Sequence, residues 1–543
     1  MKKIIIIAVL MIAACFNSVK AQVEHVPVSN SVYDYLLRAE TRGWLPHFSL
    51  SSLPLQRKEI KEALEMVNSH RNELSSMEKS ALDNYLVEFE IMPLEEAVVF
   101  PSDTDSLQVL SGRMFSNSEK YIYHYDDGRH SVSLKPLASA DFKYLKNGGG
   151  PSDVIFGNLG FRLYGTLSNK VGYFLQATNG SVLSGDRALA AQDDKLGKNV
   201  KFSDLNSDFD FTESHVHYEH GWFYAKIARE TKLLGAGLNQ RIFISTNAPP
   251  ADEIGLGVKF RSFEYSFSHA QLLGLAISNT GTGFNALIPD KYMAMHRFAY
   301  QPSWGEIAFW ESAIYSDRNI DLAYLNPLSF YKSVEHSLRD RDNSAMGIDA
   351  TIRPFGGLQL KGSFFLDDII ISKIGTGYWS NKTAWNVAAI AALDFPVDLG
   401  LEYSRVEPYT YTHFNPQNTY SHDSLMYGSN ILPNSDRLNF LLRFWPGGRY
   451  PVDLDISYTR HGENIYENGE LIENVGGDPL QTRRPEDPFE VEFLDGRQVN
   501  TLSTGIRYGI EVFRNFSLQA GYTYVSGDRN DHMISLSFRF EEF

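Results

Sequence analysis

The last residues of the chain alternate between apolar and polar side chains with a period of two. From Ile534 to Phe540 every second residue is apolar, whereas Ser535, Ser537 and Arg539 between them are polar. Successive side chains of a strand point to opposite faces, so this pattern predicts a strand with one apolar and one polar face. Such a strand lies between a nonpolar and a polar environment.

The end of this strand resembles the last strand of bacterial outer-membrane β-barrels. That strand closes on an aromatic residue that the barrel insertion machinery reads, and this chain ends on Phe543. The alternation breaks at Glu541 and Glu542, which places Phe543 out of phase with the strand. We therefore expect an outer-membrane barrel whose partners are outer-membrane lipid and the insertion machinery.

The N-terminus is typical of a secretory signal. Two lysines precede an apolar run over residues 4–14, which is too short to cross a bilayer as a helix. Residues 19–21 predict cleavage after Ala21, so that residues 1–21 form a signal peptide. Residues 12–15 offer the alternative of a lipobox, with an acylated Cys15 as the mature N-terminus. Since Cys15 is the only cysteine, cleavage after Ala21 excludes both disulfides and thiolate metal sites.

The composition favours a barrel over a helical membrane protein. The chain contains 35 Phe, 29 Tyr and 7 Trp, yet its mean hydropathy is -0.26. A barrel reconciles these values, because lipid-facing apolar residues alternate with polar lumen residues and aromatic girdles lie at both interfaces. The net charge of -16 argues against nucleic acid as a partner. It leaves a neutral glycan open.

Residues 28–100 show a helical period instead. A first helix would begin near Ser29 or Asn30 and end at Gly43, and a second would follow Pro54. A third opens with a capping box, Ser75-Ser-Met-Glu78. We predict a small α-helical bundle within residues 22–105, on the periplasmic side of the barrel.

From residue 111 to residue 543 the pattern is one of strands joined by tight turns. Turn chemistry is concentrated at residues 168–170, 302–305, 354–357, 445–448 and 527–530. Longer polar insertions cover roughly residues 178–212, 229–255, 270–295, 315–343, 367–383, 407–437 and 460–500. Short turns on one side and long loops on the other are typical of outer-membrane barrels, and about 430 residues at about 24 per strand and connection predict about 16–18 strands. The predicted fold is therefore mainly β, a large transmembrane antiparallel β-barrel preceded by the helical bundle.

Several segments, taken in order, resemble the Wzi family of capsule assembly proteins. They are residues 28–46, Leu53-Pro54-Leu55, Asn326-Pro327 with Phe330, Glu335-His336, residues 340–343, residues 365–368, residues 403–413 and Pro433-Asn434-Ser435. The resemblance implies an outer-membrane lectin with an eighteen-stranded barrel and a periplasmic helical bundle. It also implies a role in assembling or attaching surface polysaccharide, without enzymatic activity or a cofactor.

The stretch from Arg405 to His422 carries the most suggestive chemistry. Sugars present apolar C–H faces that stack on aromatic rings, and their hydroxyls need amide, carboxylate or guanidinium partners. The stretch supplies both kinds of group, and our candidate carbohydrate-binding residues are Arg405, Tyr409, Tyr411, His413, Asn415, Tyr420 and His422, with Asn418 beside them. The alternatives are that these tyrosines form an interface girdle or a self-packed loop.

A second set of polar residues follows the family resemblance and is predicted to lie in a loop or in the lumen. This set is Asn326, Pro327, Glu335, Asp342, Asn343, Asp367 and Asp368. Together with Asp340, its carboxylates and amides are of the kind that bind hard cations, but their spacing is not that of a calcium loop. Charge pairing with Lys332, Arg339 and Arg341 in the lumen is the alternative, and we predict no metal.

Three histidines raise the question of zinc. His215 and His217 would share a strand face, and His220 follows shortly after. A zinc site requires further ligands, and the sequence specifies none. Ordinary lumen-facing histidines are therefore the preferred interpretation.

Motifs of soluble enzymes are absent from the sequence. A hydrolase site on the barrel wall has a weaker signature, so pairs such as His296 with Ser303, or His269 with Ser278, stay open. We expect a barrel that binds surface polysaccharide and is not an enzyme. The alternative is a porin or substrate-specific channel, whose tyrosines and arginines would line an open lumen.

Overall fold

The computed structural model describes residues 22–90, 98–99, 112–203, 207–276, 288–528 and 530–543. The predictions made for the signal peptide, for Cys15 and for Ser278 lie outside these residues. No helix among the described residues is both long enough and apolar enough to cross a membrane.

Three helices of the described N-terminal region form the predicted bundle: α1 Val32–Arg42, α2 Arg57–Ser69 and α3 Ser76–Glu88. The capping box of α3 is confirmed, because the Ser75 hydroxyl accepts a hydrogen bond from Glu78 N (3.2 Å) and the Glu78 carboxylate accepts one from Ser75 N (2.9 Å). Helix α1 ends at Gly43, whose φ of 80° suits a residue without a Cβ. The apolar faces of the helices meet in one buried core.

Eighteen antiparallel strands of the described chain close into one barrel, because the last strand pairs with the first. The closure confirms the predicted fold class at the upper end of the predicted strand number. The strands are β1 Ser131–Asn147, β2 Gly150–Leu167, β3 Val171–Gly185, β4 Asp208–His220, β5 Phe223–Glu230, β6 Ala251–Phe260, β7 Phe263–Leu273, β8 Asp290–Tyr300, β9 Gly305–Ser316, β10 Asn343–Phe355, β11 Leu358–Asp368, β12 Lys382–Ala392, β13 Val397–Val406, β14 Ser435–Phe444, β15 Val452–Glu463, β16 Arg497–Phe513, β17 Phe516–Ser526 and β18 Asn530–Phe540.

The connections differ in length at the two ends of the barrel. Short turns at residues 168–170, 221–222, 261–262, 301–304, 356–357, 393–396, 445–451 and 514–515 mark what we call the short-turn end. Of the described residues, the opposite, long-loop end carries 186–203, 207, 231–250, 274–276, 288–289, 317–342, 369–381, 407–434 and 464–496, with short connections at 148–149 and 527–528.

All seven predicted insertions include strand residues at their ends, and the overlap is largest for residues 178–212 and 270–295. Strand β3 continues to Gly185, and strands β7 and β8 reach Leu273 and Asp290, so residues 178–185 and several residues at 270–295 are strand. Residues 178–181 pair with β4 although they are small or polar. Val182, which follows them, packs on a buried cluster that includes Leu189 and Leu196 of the next connection. The apolar alternation that reveals a strand of the barrel wall is absent from residues 178–181.

The helical bundle lies at the short-turn end, the end expected for it. The Arg38 guanidinium in α1 donates to the carbonyl of Leu393 (2.8 Å) in the turn at 393–396 and to the carboxylate of Glu78 (2.7 Å) in α3. Trp445, in the turn at 445–451, is buried in the core of the bundle. The bundle is therefore packed onto the barrel through buried contacts with its turns.

The connections contain further short elements. The helices are α4 Arg187–Ala190, α5 Val200–Ser203, α6 Leu322–Leu325 and α7 Tyr331–Ser337, and the 3₁₀ turns are Arg71–Glu73, Leu196–Lys198, Ile371–Lys373 and Pro416–Asn418. Short strands pair as Ser52–Leu53 with Leu233–Leu234, Val98–Val99 with Lys120–Tyr121, Tyr123–Asp126 with β1, Ser421–His422 with Leu425–Met426, and Ile465–Glu467 with Glu470–Glu473.

The last three residues leave the barrel wall. Strand β18 ends at Phe540, and Glu541, Glu542 and Phe543 are buried. Glu541 accepts a hydrogen bond from the Lys135 ammonium (2.8 Å) inside the barrel, and Glu542 accepts one from the backbone of the helical region. This inward turn explains the break in the alternation. Phe540 is thus the last aromatic residue in phase with the outer face.

Candidate functional site

Residues 231–250, the crossing loop, run across the lumen. The loop connects β5 with β6, yet the Glu402 carboxylate on β13 accepts hydrogen bonds from the backbone of Leu238 (2.8 Å) and Asn239 (2.9 Å). The Ser363 hydroxyl on β11 accepts a further one from Ala236 N (2.8 Å). These contacts with strands far around the wall show that the loop bridges the inside of the barrel.

Residues 407–434, the inner loop, pack on the crossing loop. Tyr411 and Tyr420, two predicted carbohydrate-binding residues, are fully buried there. Their hydroxyls donate to the carbonyls of Ile242 (2.8 Å) and Phe243 (3.0 Å) in the crossing loop. Burial raises the pKa of both hydroxyls, which keeps them protonated and donating.

The two histidines of the inner loop are buried and neutral. Nδ1 of His413 accepts a hydrogen bond from Asn415 N (3.1 Å), and Nδ1 of His422 accepts one from Leu273 N (3.1 Å). Burial lowers the pKa of both rings to about 4, helped by the Lys382 ammonium beside His413. Each ring therefore serves as a hydrogen-bond acceptor at neutral pH.

Arg405, the first residue of the predicted stretch, is also engaged within the protein. Its guanidinium pairs with Glu407 (2.6 Å) and lies 3.6 Å from the centre of the Phe493 ring. Asn418 donates to the carbonyl of Arg341 (2.9 Å). The geometry of residues 405–422 is that of a self-packed loop, and their contact with sugar stays a prediction.

A cluster of aromatic and cationic side chains stands above the inner loop, at the long-loop end. This outer aromatic cluster consists of Tyr378 and Trp379 from residues 369–381, and Arg483 and Phe489 from residues 464–496. The rings of Tyr378 and Phe489 are nearly parallel, at 7° and 6.4 Å. The Arg483 guanidinium lies 4.3 Å from the centre of Phe489 and 5.2 Å from that of Trp379. Phe489 is 60% exposed.

Backbone pairing positions these rings. Trp379 N donates to the carbonyl of Phe489 (3.0 Å), and Val491 N donates to that of Gly377 (2.8 Å). A Cβ on Gly377, whose φ is +71°, would lie 2.9 Å from the Val491 carbonyl, so only glycine suits this close approach. The two loops therefore form one unit.

Tyr409, another predicted carbohydrate-binding residue, supports the outer aromatic cluster from below. Its ring meets Trp379 edge to face at 6.0 Å, and its hydroxyl donates to the carbonyl of Asn474 (2.6 Å). Asn474 in turn donates to the Asp487 carboxylate (3.1 Å), which also pairs with Arg484 (2.6 Å). The cluster rests on a buried polar network.

The side chains of the outer aromatic cluster are of the kinds that bind glycans. Exposed aromatic faces suit the apolar side of a sugar ring, and the guanidinium and the exposed carboxylates of Glu486 and Glu490 suit its hydroxyls. Our sequence analysis missed the cluster because its two loops are distant in the chain. In the sequence, the adjacent aromatic residues Tyr378 and Trp379 within a polar insertion could have indicated it.

The residues that follow the family resemblance lie in three places. Asn343 and Asp367 are in the lumen, where Asn343 donates to the Asn418 carbonyl (2.9 Å) and Asp367 accepts from Tyr411 N (2.8 Å). Asp368 accepts from the Ser380 hydroxyl (2.7 Å) at the base of residues 369–381. Asn326, Pro327, Glu335 and Asp342 lie in residues 317–342.

The acidic residues considered as a cation site do not converge. The Asp342 carboxylate is paired with both terminal nitrogens of Arg318 (2.8 and 2.7 Å). Asp340 is exposed beside His336 (3.6 Å), and Asp367 lies in the lumen. Each carboxylate thus has its own partner, but these partners are not the Lys332, Arg339 and Arg341 that we considered for charge pairing in the lumen.

His215 and His217 share the inner face of β4, whereas His220 has the opposite phase. His25 and Glu230 lie next to them: Nδ1 of His25 and Nδ1 of His215 are 2.9 and 3.5 Å from the Glu230 carboxylate. Nε2 of His215, however, accepts a hydrogen bond from His25 N (3.0 Å). The proton of the neutral ring is therefore on Nδ1, the nitrogen that faces Glu230, so this arrangement is an anchor for the N-terminal segment rather than a metal site.

The histidines of the two hydrolase pairs have other partners. His296 Nε2 is 3.1 Å from the Glu311 carboxylate, and His269 Nε2 is 2.7 Å from the Tyr315 hydroxyl. Ser303 lies in the short turn at residues 301–304. The described residues around these rings thus give no support to a nucleophile at Ser303.

The sequence matches no protein-family model and no curated protein. Among solved structures, the fold is similar to that of Wzi from Escherichia coli, an outer membrane protein involved in group 1 capsule assembly and a carbohydrate-binding β-barrel. The TM-score is 0.58 at 13% identity, over 96% of this chain and 99% of that chain. The predicted Wzi-like fold is therefore confirmed.

Weaker similarities link the chain to other barrels. OprD from Pseudomonas aeruginosa has a TM-score of 0.41 at 10% identity, over 75% of this chain and 94% of that chain. OccAB4 from Acinetobacter baumannii has a TM-score of 0.42 at 8% identity, over 75% and 97%. These values are too low to support an inference about function.

Proposed function

We propose that this protein is an outer-membrane β-barrel that binds surface polysaccharide and helps to assemble or attach it at the cell surface. The carrying observation is the outer aromatic cluster: an exposed Phe489, its parallel neighbour Tyr378 and the Arg483 guanidinium, presented at the long-loop end. The Wzi-like fold supports the proposal, because Wzi is a carbohydrate-binding barrel involved in capsule assembly.

The proposed mechanism is binding without bond cleavage. A sugar ring stacks on Phe489 and Tyr378, and its hydroxyls meet Arg483 and the neighbouring carboxylates. Each contact is weak, but a polymer repeats its units and many barrels bind one chain, so the avidity is high. In this arrangement the long-loop end faces the cell exterior and the helical bundle faces the periplasm.

The test removes the exposed ring of Phe489 and the half-buried ring of Tyr378 beside it. Phe489→Ala combined with Tyr378→Ala is expected to weaken binding of the purified protein to polysaccharide from the producing strain by at least about tenfold, about 1.4 kcal/mol. In cells, the same change is expected to shift polymer from the surface into the medium.

The matched control is Phe414→Ala, which removes an exposed aromatic ring of the inner loop outside the cluster. We expect this variant to bind as the unaltered protein does. Equal binding by the double variant and the control would contradict the proposed site, and a cell-bound polymer layer that persists without the protein would contradict the attachment role.

One observation favours the channel as the second candidate function. Arg507 on β16 lies between the outward residues Ile506 and Tyr508, so it points inward, and its side chain is 76% exposed. Part of the lumen beside β16 is therefore accessible to water. Discrete conductance steps of the purified protein in planar bilayers would support a channel.

A further inference from the structure

Residues 317–342, which connect β9 with β10, lie on the outside of the barrel. Along β9, Ile307 and Phe309 are exposed and thus point outward, and the same face continues to Glu311, Ala313 and Tyr315, all of which are buried. Residues of this connection cover them: Tyr324 of α6 and Tyr331 of α7 belong to the same buried cluster as Ala313 and Tyr315. We call residues 317–342 the flap.

The flap covers a polar pair on the outer wall. The Glu311 carboxylate accepts hydrogen bonds from Tyr331 N (2.8 Å) and Lys332 N (2.7 Å), at the start of α7. It also lies 3.1 Å from Nε2 of His296 on β8, whose ring stacks on Tyr331 at 4.7 Å. Every partner of this buried carboxylate therefore comes from the wall or from the flap.

Further contacts fix the flap to the wall near the long-loop end. Asp342 accepts hydrogen bonds from Arg318 (2.7 Å) and from the Tyr324 hydroxyl (2.8 Å), which joins the two ends of the flap to α6. The Glu335 carboxylate of α7 pairs with the outward Ser344 hydroxyl of β10. The flap is thus part of the folded structure and not a free extension.

The flap descends far along the wall. The carbonyl of Pro327 accepts a hydrogen bond from the hydroxyl of Tyr265, the third residue of β7, just above the short turn at 261–262. Glu311 pairs with His296 on β8. His296 lies four residues, or about 13 Å along the strand, before Tyr300 at the lower end of β8. The apolar band of a membrane barrel is about 25 Å tall, so residues 327–332 of the flap lie at the height of this band.

The exposed side chains of residues 322–330 of the flap are mainly apolar, whereas the exposed side chains between Ser333 and Arg341 are polar or charged. Leu322, Leu328 and Phe330 are 79%, 85% and 52% exposed. The backbone N–H groups around Leu328 have partners within the segment. Leu328 N donates to the side-chain oxygen of Asn326 (3.1 Å), and Ser329 N donates to the Asn326 carbonyl (3.2 Å). Pro327 has no N–H. Pairing of this kind is what a lipid environment favours for backbone N–H groups.

We propose that residues 322–330 of the flap are embedded in the membrane, where Leu322, Leu328 and Phe330 bind lipid acyl chains and α7 shields His296 and Glu311 from them. These side chains extend the exposed apolar face formed by Ile307 and Phe309, so the lipid that covers this face covers them as well. Without the flap, a carboxylate would face hydrocarbon. The inference rests on the proposed outer-membrane location.

The experiment measures quenching of a fluorophore at single cysteines. Leu328→Cys is labelled with an environment-sensitive fluorophore in the protein purified from membranes and reconstituted with doxyl-labelled phospholipid. The lipid reference is Phe364→Cys on the outer face of β11, and the water reference is Ile371→Cys in residues 369–381 at the long-loop end, where Ile371 is 80% exposed. The cysteine-free background has Cys15, the only cysteine, replaced by serine.

We expect the label at position 328 to be quenched by doxyl lipid to the extent seen at position 364, and to resist iodide as that reference does. Quenching by iodide as at position 371 would show a flap in water and would overturn the proposal. Quenching by neither agent would show that protein covers Leu328, and it would overturn the proposal as well. Lack of lipid quenching at position 364 itself would instead contradict the membrane location.

Discussion

The hydroxyls of Tyr411 and Tyr420 hold two loops together inside the lumen. Each is buried and donates to a carbonyl of the crossing loop. A buried tyrosine hydroxyl needs a partner, and here the protein supplies it, which leaves no donor for a sugar. These residues thus shape the platform beneath the outer aromatic cluster.

Tyr420→Phe removes one hydroxyl and keeps the ring. Because the Phe243 carbonyl loses its donor, we expect the free energy of unfolding to fall by about 1 kcal/mol. Denaturant titration of the refolded barrel measures this change. Polysaccharide binding should be unaltered, and weaker binding at equal stability would instead assign the inner loop a direct role in sugar contact.

The inner loop depends on two neutral histidines. His413 and His422 accept hydrogen bonds from the backbone through Nδ1, and their pKa is lowered to about 4 by burial. Protonation would replace an acceptor by a donor and would place a cation beside Lys382 or Lys291. The packing of this loop is therefore sensitive to acid.

The sign of the pH effect follows from linkage. An unfolded histidine has a pKa of about 6.5, whereas both rings have a pKa of about 4 in the fold. The unfolded state therefore binds protons first, and the stabilisation present above pH 6.5 is lost as the pH falls toward 4. We expect faster amide hydrogen exchange in residues 407–434 at pH 5 than at pH 7.5, after correction for intrinsic rates.

The control is the double variant His413→Gln, His422→Gln, whose side chains stay neutral at both pH values. Its corrected exchange rates in the inner loop should be similar at pH 5 and pH 7.5. The same acceleration in this variant would assign the effect to other groups.

Across the whole molecule, the lumen is divided. The crossing loop bridges the side between β5–β6 and β11–β13 through Ser363 and Glu402, whereas Arg507 stands exposed on β16. The helical bundle lies across the short-turn end and packs against the turns there. The loops and the bundle, rather than the barrel wall, therefore determine how much of the lumen is open.

Replacement of residues 236–247 by a short Gly-Ser linker is expected to increase single-channel conductance at least about threefold over the unaltered protein, because the segment that spans the lumen is removed. Planar-bilayer recordings measure it. As a control, replacement of residues 371–377 alters a loop outside the lumen and should leave the conductance unchanged. Equal conductance of all three proteins would show that the crossing loop does not limit the path.

The barrel was predictable because the side-chain alternation that indicates it is contained within each single strand. Alternation such as that from Ile534 to Phe540 indicates a strand with one apolar and one polar face, and each strand shows this pattern independently of the others. The capping box at Ser75 and Glu78 is likewise contained within a few residues. The prediction failed at residues 178–185, which are strand although residues 178–181 are small or polar and carry no apolar alternation.

The sequence by itself determined the strand pattern, the unequal connections at the two ends and the resemblance to the Wzi family. Only the tertiary structure decided where the loops lie: Tyr411 inside the lumen, Trp379 beside Phe489 at the long-loop end, and the flap over Glu311 on the outer wall. The physical reason is that the two faces of a strand meet different surroundings, so that apolar and polar side chains alternate along it. The packing of a loop depends on partners supplied by distant segments, which no local pattern records.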